Sequence, residues 1–133
     1  MRPARFQDWL IDIVKNTPGV GRVQSLADSG DSKHPFGIAL TRDGKEELWQ
    51  ITGQLADGEK HDHEERPVED TPFSAPVPEA GAAADVWLIG VIGASESPEI
   101  ARVERWQDRP EGASQFGFTV FFHAGSRAFV RPL

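Results

Sequence analysis

The sequence predicts an α+β fold in which one helix–strand–strand–strand unit occurs twice and builds a pseudo-two-fold antiparallel sheet with two helices. Three observations lead to this prediction. The chain matches itself at an offset of about 80 residues, and each matching half begins with a helical pattern. Each half also ends in two alternating segments around a hairpin turn.

The internal repeat consists of sparse identities that run in the same order along both halves. The matching pairs are Trp9/Trp87, Leu10/Leu88, Ile11/Ile89, Pro18/Pro98, Arg22/Arg102, Val23/Val103, Asp28/Asp108, Phe36/Phe116, Gly37/Gly117 and Gly44/Gly125. A shared apolar pattern alone does not demand such a collinear set. We therefore predict a single domain over residues 1–133, with repeat unit 1 at 1–52 and repeat unit 2 at 84–133.

Each unit is predicted to begin with a helix. In the first copy, Phe6, Leu10, Ile13 and Val14 recur at helical spacing. In the second copy, the WLIGVIG run is also compatible with a buried strand, and each of its two glycines weakens a helix by about 1 kcal/mol. The repeat favours a helix, because the matching segment of the first copy is amphipathic.

Three strands are predicted to follow each helix. The stretches 20–26 and 100–106 carry apolar residues three apart, but Pro18, Gly19 and Gly21 argue against a helix, and we predict strands in both. The segments 36–40 and 116–122 alternate. Asp43-Gly44 is a strong hairpin signal, and Ala124-Gly125 occupies the matching place.

An acidic, proline-rich segment at residues 53–83 separates the two units. Residues 57–79 carry eight acidic and two basic side chains, which accounts for most of the net charge of −7. Such a composition predicts a flexible or extended linker. The alternative is an arm that docks on a partner through Val68, Phe73 and Val77, with the prolines extending the chain in advance.

Several kinds of chemistry are not favoured by this sequence. It contains no cysteine, no strongly basic region that would favour nucleic acid, and no nucleophile motif. His61 and His63 have the spacing of metal ligands. They lie within the acidic, proline-rich residues 53–83, where solvated polar side chains are expected. Arginines interleaved with aromatics in the second unit could form a stacking platform for single strands, but a core with a solvated rim is more typical. We predict no catalytic, cofactor-binding or metal-binding residue, and no cofactor.

The expected function is that of a non-enzymatic protein-interaction or assembly module. The second unit is richer in aromatic residues than the first, so the predicted partner-binding residues are Phe73, Phe121, Phe122 and Arg127. One setting is a structural accessory of a phage or virus-like particle, associated with the capsid or the head–tail joint. One alternative is a small ligand binder or enzyme with a pocket at the seam between the repeats, and another is an acidic decoy of a nucleic-acid-binding partner.

The expected partner is a protein, and the chain is compatible with an oligomer. No stretch approaches the length of about 18 apolar residues that a membrane span requires. We therefore expect no membrane contact and a location in the cytoplasm or within an assembled particle.

Overall fold

The computed structural model describes residues 1–111 and 114–133. Over these residues the fold is α+β, as predicted, and the helix and the strands follow in the expected order in each half. A 3₁₀ turn, Trp106–Asp108, follows the fourth strand. The elements are α1 (Pro3–Lys15), β1 (Val20–Ser25), β2 (Gly37–Arg42), β3 (Lys45–Gln54), α2 (Ala84–Ala94), β4 (Ile100–Arg105), β5 (Phe118–Phe122) and β6 (Arg127–Pro132).

The strands form one antiparallel sheet in the order β1-β2-β3-β6-β5-β4. The central pair is β3 and β6, in register from Trp49↔Pro132 to Gln54↔Arg127. We call this pair the seam, because it joins the first half of the chain to the second.

Both helices lie on the same face of the sheet, and the core is between them. The buried side chains of the core include Phe6, Leu10, Val14, Ile38, Leu40, Trp49, Ile51, Leu88, Ile92, Phe118, Val120, Phe122 and Val130. Complete burial of such a side chain contributes about 1.5–3 kcal/mol. Alternation along the strands selects these residues, since every second side chain points towards the helices.

Each half has a glycine at the start of its hairpin that cannot carry a side chain. A Cβ on Gly37 would lie 2.2 Å from the Trp49 carbonyl oxygen, and a Cβ on Gly117 would lie 2.5 Å from that of Val130. Leu26 and Trp106 close over these glycines and donate backbone hydrogen bonds of 3.0 Å to their carbonyls. The backbone is therefore fixed in the same way at both corners of the sheet.

The segment between the halves packs against its own domain. The Phe73 N–H donates to the Ile100 carbonyl at 2.8 Å. A Cβ on Gly93 would lie 2.4 Å from the Cβ of Ala75, and one on Gly90 would lie 2.8 Å from that of Pro78. Residues 73–78, part of the segment predicted to be a flexible or extended linker, therefore pack on α2 without forming a helix or strand, because the two glycines of α2 give them a surface to pack on.

The helix on which the linker packs, α2, is buried from Trp87 to Gly93 except Ile89. Its single charged residue, Asp85, is buried and paired with Arg105. Within the described part of the chain, no helix has the length and apolar character needed to cross a bilayer.

Candidate interaction surface

The sheet face opposite the helices carries a row of arginine and aromatic side chains. They come from alternate positions of β4, β5 and β6, and we call them the arginine face: Arg102, Phe121, Arg127, Phe129 and Arg131. Phe121 pairs with Arg102 on one neighbouring strand and with Arg127 on the other. The strand register therefore places an arginine on each side of this ring.

The contacts of Phe121 follow from that register. The Arg102 guanidinium carbon lies 3.6 Å from the centre of the Phe121 ring, and that of Arg127 lies 5.0 Å from it. Each such cation–π contact contributes about 0.5–1 kcal/mol at an exposed site. The arginine stems cover apolar ring surface while the charged groups remain in contact with water.

A second aromatic–cation cluster lies beside the first. Trp106 is 8% exposed, and its Nε1 donates a hydrogen bond of 2.9 Å to the Thr119 hydroxyl. The Arg109 and Arg131 guanidinium carbons lie 5.9 Å and 5.5 Å from the Trp106 ring centres. A shallow cleft of about 450 Å³ opens here, lined by Trp106, Arg109, Gln115, Phe116, Arg131 and Pro132.

This surface is positive although the chain as a whole is negative. Glu104 accepts a 2.7 Å hydrogen bond from Arg109 Nε and lies 3.7 Å from Arg102. Arg127 and Arg131 are exposed and form no ion pair with any residue that the structure describes. Their guanidinium groups are therefore available to carboxylates of another molecule.

The negative charge is concentrated elsewhere, in residues 57–70, which we call the acidic segment. Part of this negative charge is paired with two arginines at the start of the first helix. Arg5 forms ion pairs with Glu65 and Glu99, and Arg2 forms an ion pair with Glu59 at 3.2 Å. Partial burial raises the pKa of Glu65, but hydrogen bonds from the Arg2 backbone and the Arg5 side chain outweigh it, so the net shift is downward. The remaining carboxylates of the segment are exposed, namely Asp57, Asp62, Glu64, Glu69 and Asp70.

The structure separates the four predicted partner-binding residues. Phe121 and Arg127 are neighbours on the arginine face. Phe73 is half-buried against the core of its own chain. Phe122 is only 4% exposed and packs edge-on against Phe6, with ring centres 5.7 Å apart, so its side chain does not reach the surface.

Sequence reasoning missed three members of this surface, although a signal for them was present. Arg102 and Arg131 belong to the arginines that the sequence assigns to a stacking platform or, more typically, to a solvated rim, and Phe129 was not among the predicted residues. Their positions alternate with Val103, Ala128 and Val130, which lie in the core or pack against it, so the two-residue period assigns them to the face away from the core. The same parity places Phe122 with Phe118 and Val120.

The seam contains the second candidate site. A cleft of about 360 Å³ lies at one end of the seam, lined by Trp49, Ala83, Ala84, Asp85, Arg105, Gln107, Phe116 and Pro132. Its two titratable groups bind each other, since Arg105 Nε donates to Asp85 at 2.7 Å, and this hydrogen bond raises the pKa of Arg105. The two groups are therefore paired with each other rather than directed into the cleft as separate groups.

No arrangement of metal ligands was found in the described residues. His61 and His63 are exposed, and no three histidine, aspartate or glutamate side chains of residues 1–111 and 114–133 come together in a way that could hold an ion. Comparisons with known proteins add no family to this description. No family model, no curated protein and no solved structure matches the chain.

Proposed function

We propose that the protein is a non-enzymatic interaction module that binds an acidic protein segment on the arginine face. The observation that supports this most directly is the Arg102–Phe121–Arg127 row, in which two exposed guanidinium groups flank a half-buried aromatic ring. Arginine and aromatic residues are enriched in protein interfaces, and the planar guanidinium can hold a carboxylate through two parallel hydrogen bonds.

Two features favour an acidic protein over a single-stranded nucleic acid. Stacking of a base needs an open ring face, but Arg102 lies 3.6 Å from the Phe121 ring centre and covers it. Moreover, the chain has a net charge of −7, so a long polyanion is repelled by the rest of the molecule. A short segment with a few carboxylates can contact the arginine face without extending over the negatively charged rest of the molecule.

We also propose that the fold arose by duplication and has a pseudo-two-fold axis. Both outer strands have an irregularity at matching positions, between Val20 and Arg22 and between Ile100 and Arg102. The sheet order is also symmetric about the seam.

The register of the seam supports the same axis. At the repeat offset of the hairpins, Trp49 corresponds to Val130, Gln50 to Arg131 and Ile51 to Pro132. The observed pairs are Trp49↔Pro132, Gln50↔Arg131 and Ile51↔Val130. A two-fold rotation exchanges the first and third pairs and swaps the two members of the second pair, so the axis would pass between Gln50 and Arg131.

The proposed duplication gives the arginine face a matched comparison within the molecule. The positions of Phe121, Arg127 and Phe129 correspond in the first unit to Thr41, Glu46 and Leu48. Arg102 has an arginine counterpart, Arg22, whereas Phe121, Arg127 and Phe129 have no similar residue in the first unit. A difference in binding between the two units would therefore depend on these three side chains.

A direct test uses a fluorescein-labelled synthetic peptide of glutamate and leucine, titrated with the protein while anisotropy is measured. Saturable binding that weakens with salt is expected. The double variant Arg102→Ala/Arg127→Ala should weaken binding by roughly tenfold or more, since each lost charged contact costs about 1–2 kcal/mol.

The matched control is Lys33→Ala/Lys45→Ala, which removes the same charge from two exposed residues outside the arginine face. It should bind the peptide as the wild type does. Equal losses in both double variants would show a general charge effect and contradict the proposal. Preferred binding of an oligothymidylate of matched length would replace the protein partner with a nucleic acid.

The other functions expected from the sequence stay predictions. Ligand binding or catalysis at the seam is favoured by the cleft volume and disfavoured by the closed Asp85–Arg105 pair. The decoy function is disfavoured because Arg2 and Arg5 neutralise part of the acidic segment. The setting in a phage or virus-like particle rests on size and architecture alone.

A further inference from the structure

We infer that the arginine face takes the acidic segment of a second copy of this chain, so that the protein assembles head to tail. The inference rests on the proposed function and names its partner. It starts from the two opposite charges of the molecule: the arginines of the sheet face and the exposed carboxylates of residues 57–70.

The acidic segment has the chemistry that the arginine face requires. Its carboxylates Glu64, Glu69 and Asp70 are exposed and form no ion pair within the described part of the chain. Val68 lies among them and is 46% exposed, so it offers apolar area next to the carboxylates. One apolar residue flanked by carboxylates complements apolar rings flanked by arginines.

The backbone of the segment can adapt to a partner surface. Residues 59–79 contain no helix or strand, so side chains 64–70 are not held in a regular array. The segment is nevertheless tethered, because Glu65 binds Arg2 and Arg5, and the Asp70 N–H donates to the Pro98 carbonyl at 2.9 Å. Tethering lowers the entropy that is lost when a partner orders the segment.

The carboxylates of the segment are not paired with the arginine face of their own chain. The segment passes the β5–β6 turn, where the Thr71 carbonyl lies 2.8 Å from His123 Nε2. Within the described residues, however, its ion pairs are formed with Arg2 and Arg5 and not with Arg102, Arg127 or Arg131. Because the two surfaces differ, each bound copy still offers one free arginine face and one free segment, and the contact is heterologous.

Sedimentation velocity of the full chain over a wide concentration range tests this inference. At low ionic strength the mass should rise with concentration beyond that of a dimer, and ~0.5 M salt should reverse the rise. Two variants separate the surfaces: Arg102→Glu/Arg127→Glu on the face, and Glu64→Lys/Glu69→Lys on the segment. Each variant alone should remain monomeric, with a far-ultraviolet spectrum and a melting temperature close to those of the wild type.

Mixing the two variants is the decisive measurement. The intact segment of the face variant should bind the intact face of the segment variant. A one-to-one complex should therefore form, and it should not assemble further because no intact face or segment remains free. The control Lys33→Glu should assemble as the wild type does, because Lys33 is exposed and outside both surfaces.

Two results would overturn the inference. One is a wild-type mass that stays monomeric at every concentration at low salt. The other is a segment variant that still dimerises alone, which would indicate a symmetric contact. If the wild type is monomeric but still binds the glutamate–leucine peptide, the proposed function stands and only self-assembly fails. If peptide binding is also absent, both fail.

Discussion

Gly93 lowers the helix propensity of α2 but makes room for the linker residue Ala75. In an exposed helix, replacing glycine with alanine stabilises by about 1 kcal/mol. Here the added Cβ would lie 2.4 Å from the Cβ of Ala75 and 2.7 Å from its backbone nitrogen. The linker backbone cannot yield as a flexible side chain can, so steric overlap outweighs helix propensity.

We therefore predict that Gly93→Ala lowers the free energy of unfolding by about 1–3 kcal/mol. Urea denaturation gives this value, and hydrogen exchange at the Phe73 amide should become faster as the segment leaves α2. The control is Gly81→Ala, since a Cβ at Gly81 meets no atom within 4 Å and the residue has no positive φ. A stabilised Gly93→Ala protein would show that the linker does not pack as described.

Trp106 gives a second prediction at this scale. Its Nε1 donates a hydrogen bond to the hydroxyl of Thr119, which is 2% exposed. Thr119→Val removes this hydroxyl and leaves the buried N–H of Trp106 without an acceptor. A loss of about 1–3 kcal/mol is expected in urea denaturation. Thr119→Ser keeps the hydroxyl and should lose less. Equal losses in both variants would assign the effect to packing instead.

Among the elements, α1 and the acidic segment are joined by charge. The pKa of Glu65 is lowered in the folded state, because the hydrogen bonds from Arg2 and Arg5 outweigh the opposing effect of burial. A carboxyl with a lowered pKa stabilises the fold above its unfolded pKa of about 4.5, and the contribution disappears as the pH falls through the folded value.

Glu65→Gln should therefore lower the melting temperature at pH 7, and the difference from the wild type should shrink below pH ~4. Calorimetry at several pH values measures this difference. Because the ion pair is partly exposed, high salt should reduce the effect at pH 7. A difference that is independent of pH would mean that the carboxylate charge does not matter and that shape alone is responsible.

The elements also show what the sequence could predict and what it could not. Helical spacing and the match between the two halves predicted the helices, and alternation with the Asp43-Gly44 turn predicted the hairpins. The docking of residues 73–78 on α2 was not predicted, because Phe73 and Val77 were interpreted as contacts for a partner rather than for the same chain. The glycines were interpreted as weakening the helix, whereas they make room for Ala75 and Pro78. Contact between distant segments is invisible to a pattern read along the chain.

For the whole molecule, the two halves share one core. Phe6 of the first half packs on Phe122 of the second, and Trp49 lies 6.0 Å from Phe118, measured between ring centres. We therefore predict a single unfolding transition rather than one for each unit. Tryptophan fluorescence and far-ultraviolet circular dichroism should give coincident urea curves, because each half contains two tryptophans. Two separated transitions would contradict a shared core.

The seam has a consequence for the rate of folding. The paired residues Gln54 and Arg127 are separated by roughly 70 residues, so the central contact of the sheet is also one of the most distant along the chain. Closing a loop of that length costs about 4 kcal/mol of chain entropy. The two hairpins alone do not offset this cost, which is offset only when the shared core forms. Relative contact order then predicts folding in milliseconds to seconds. Stopped-flow measurements should find the seam forming late, after both hairpins.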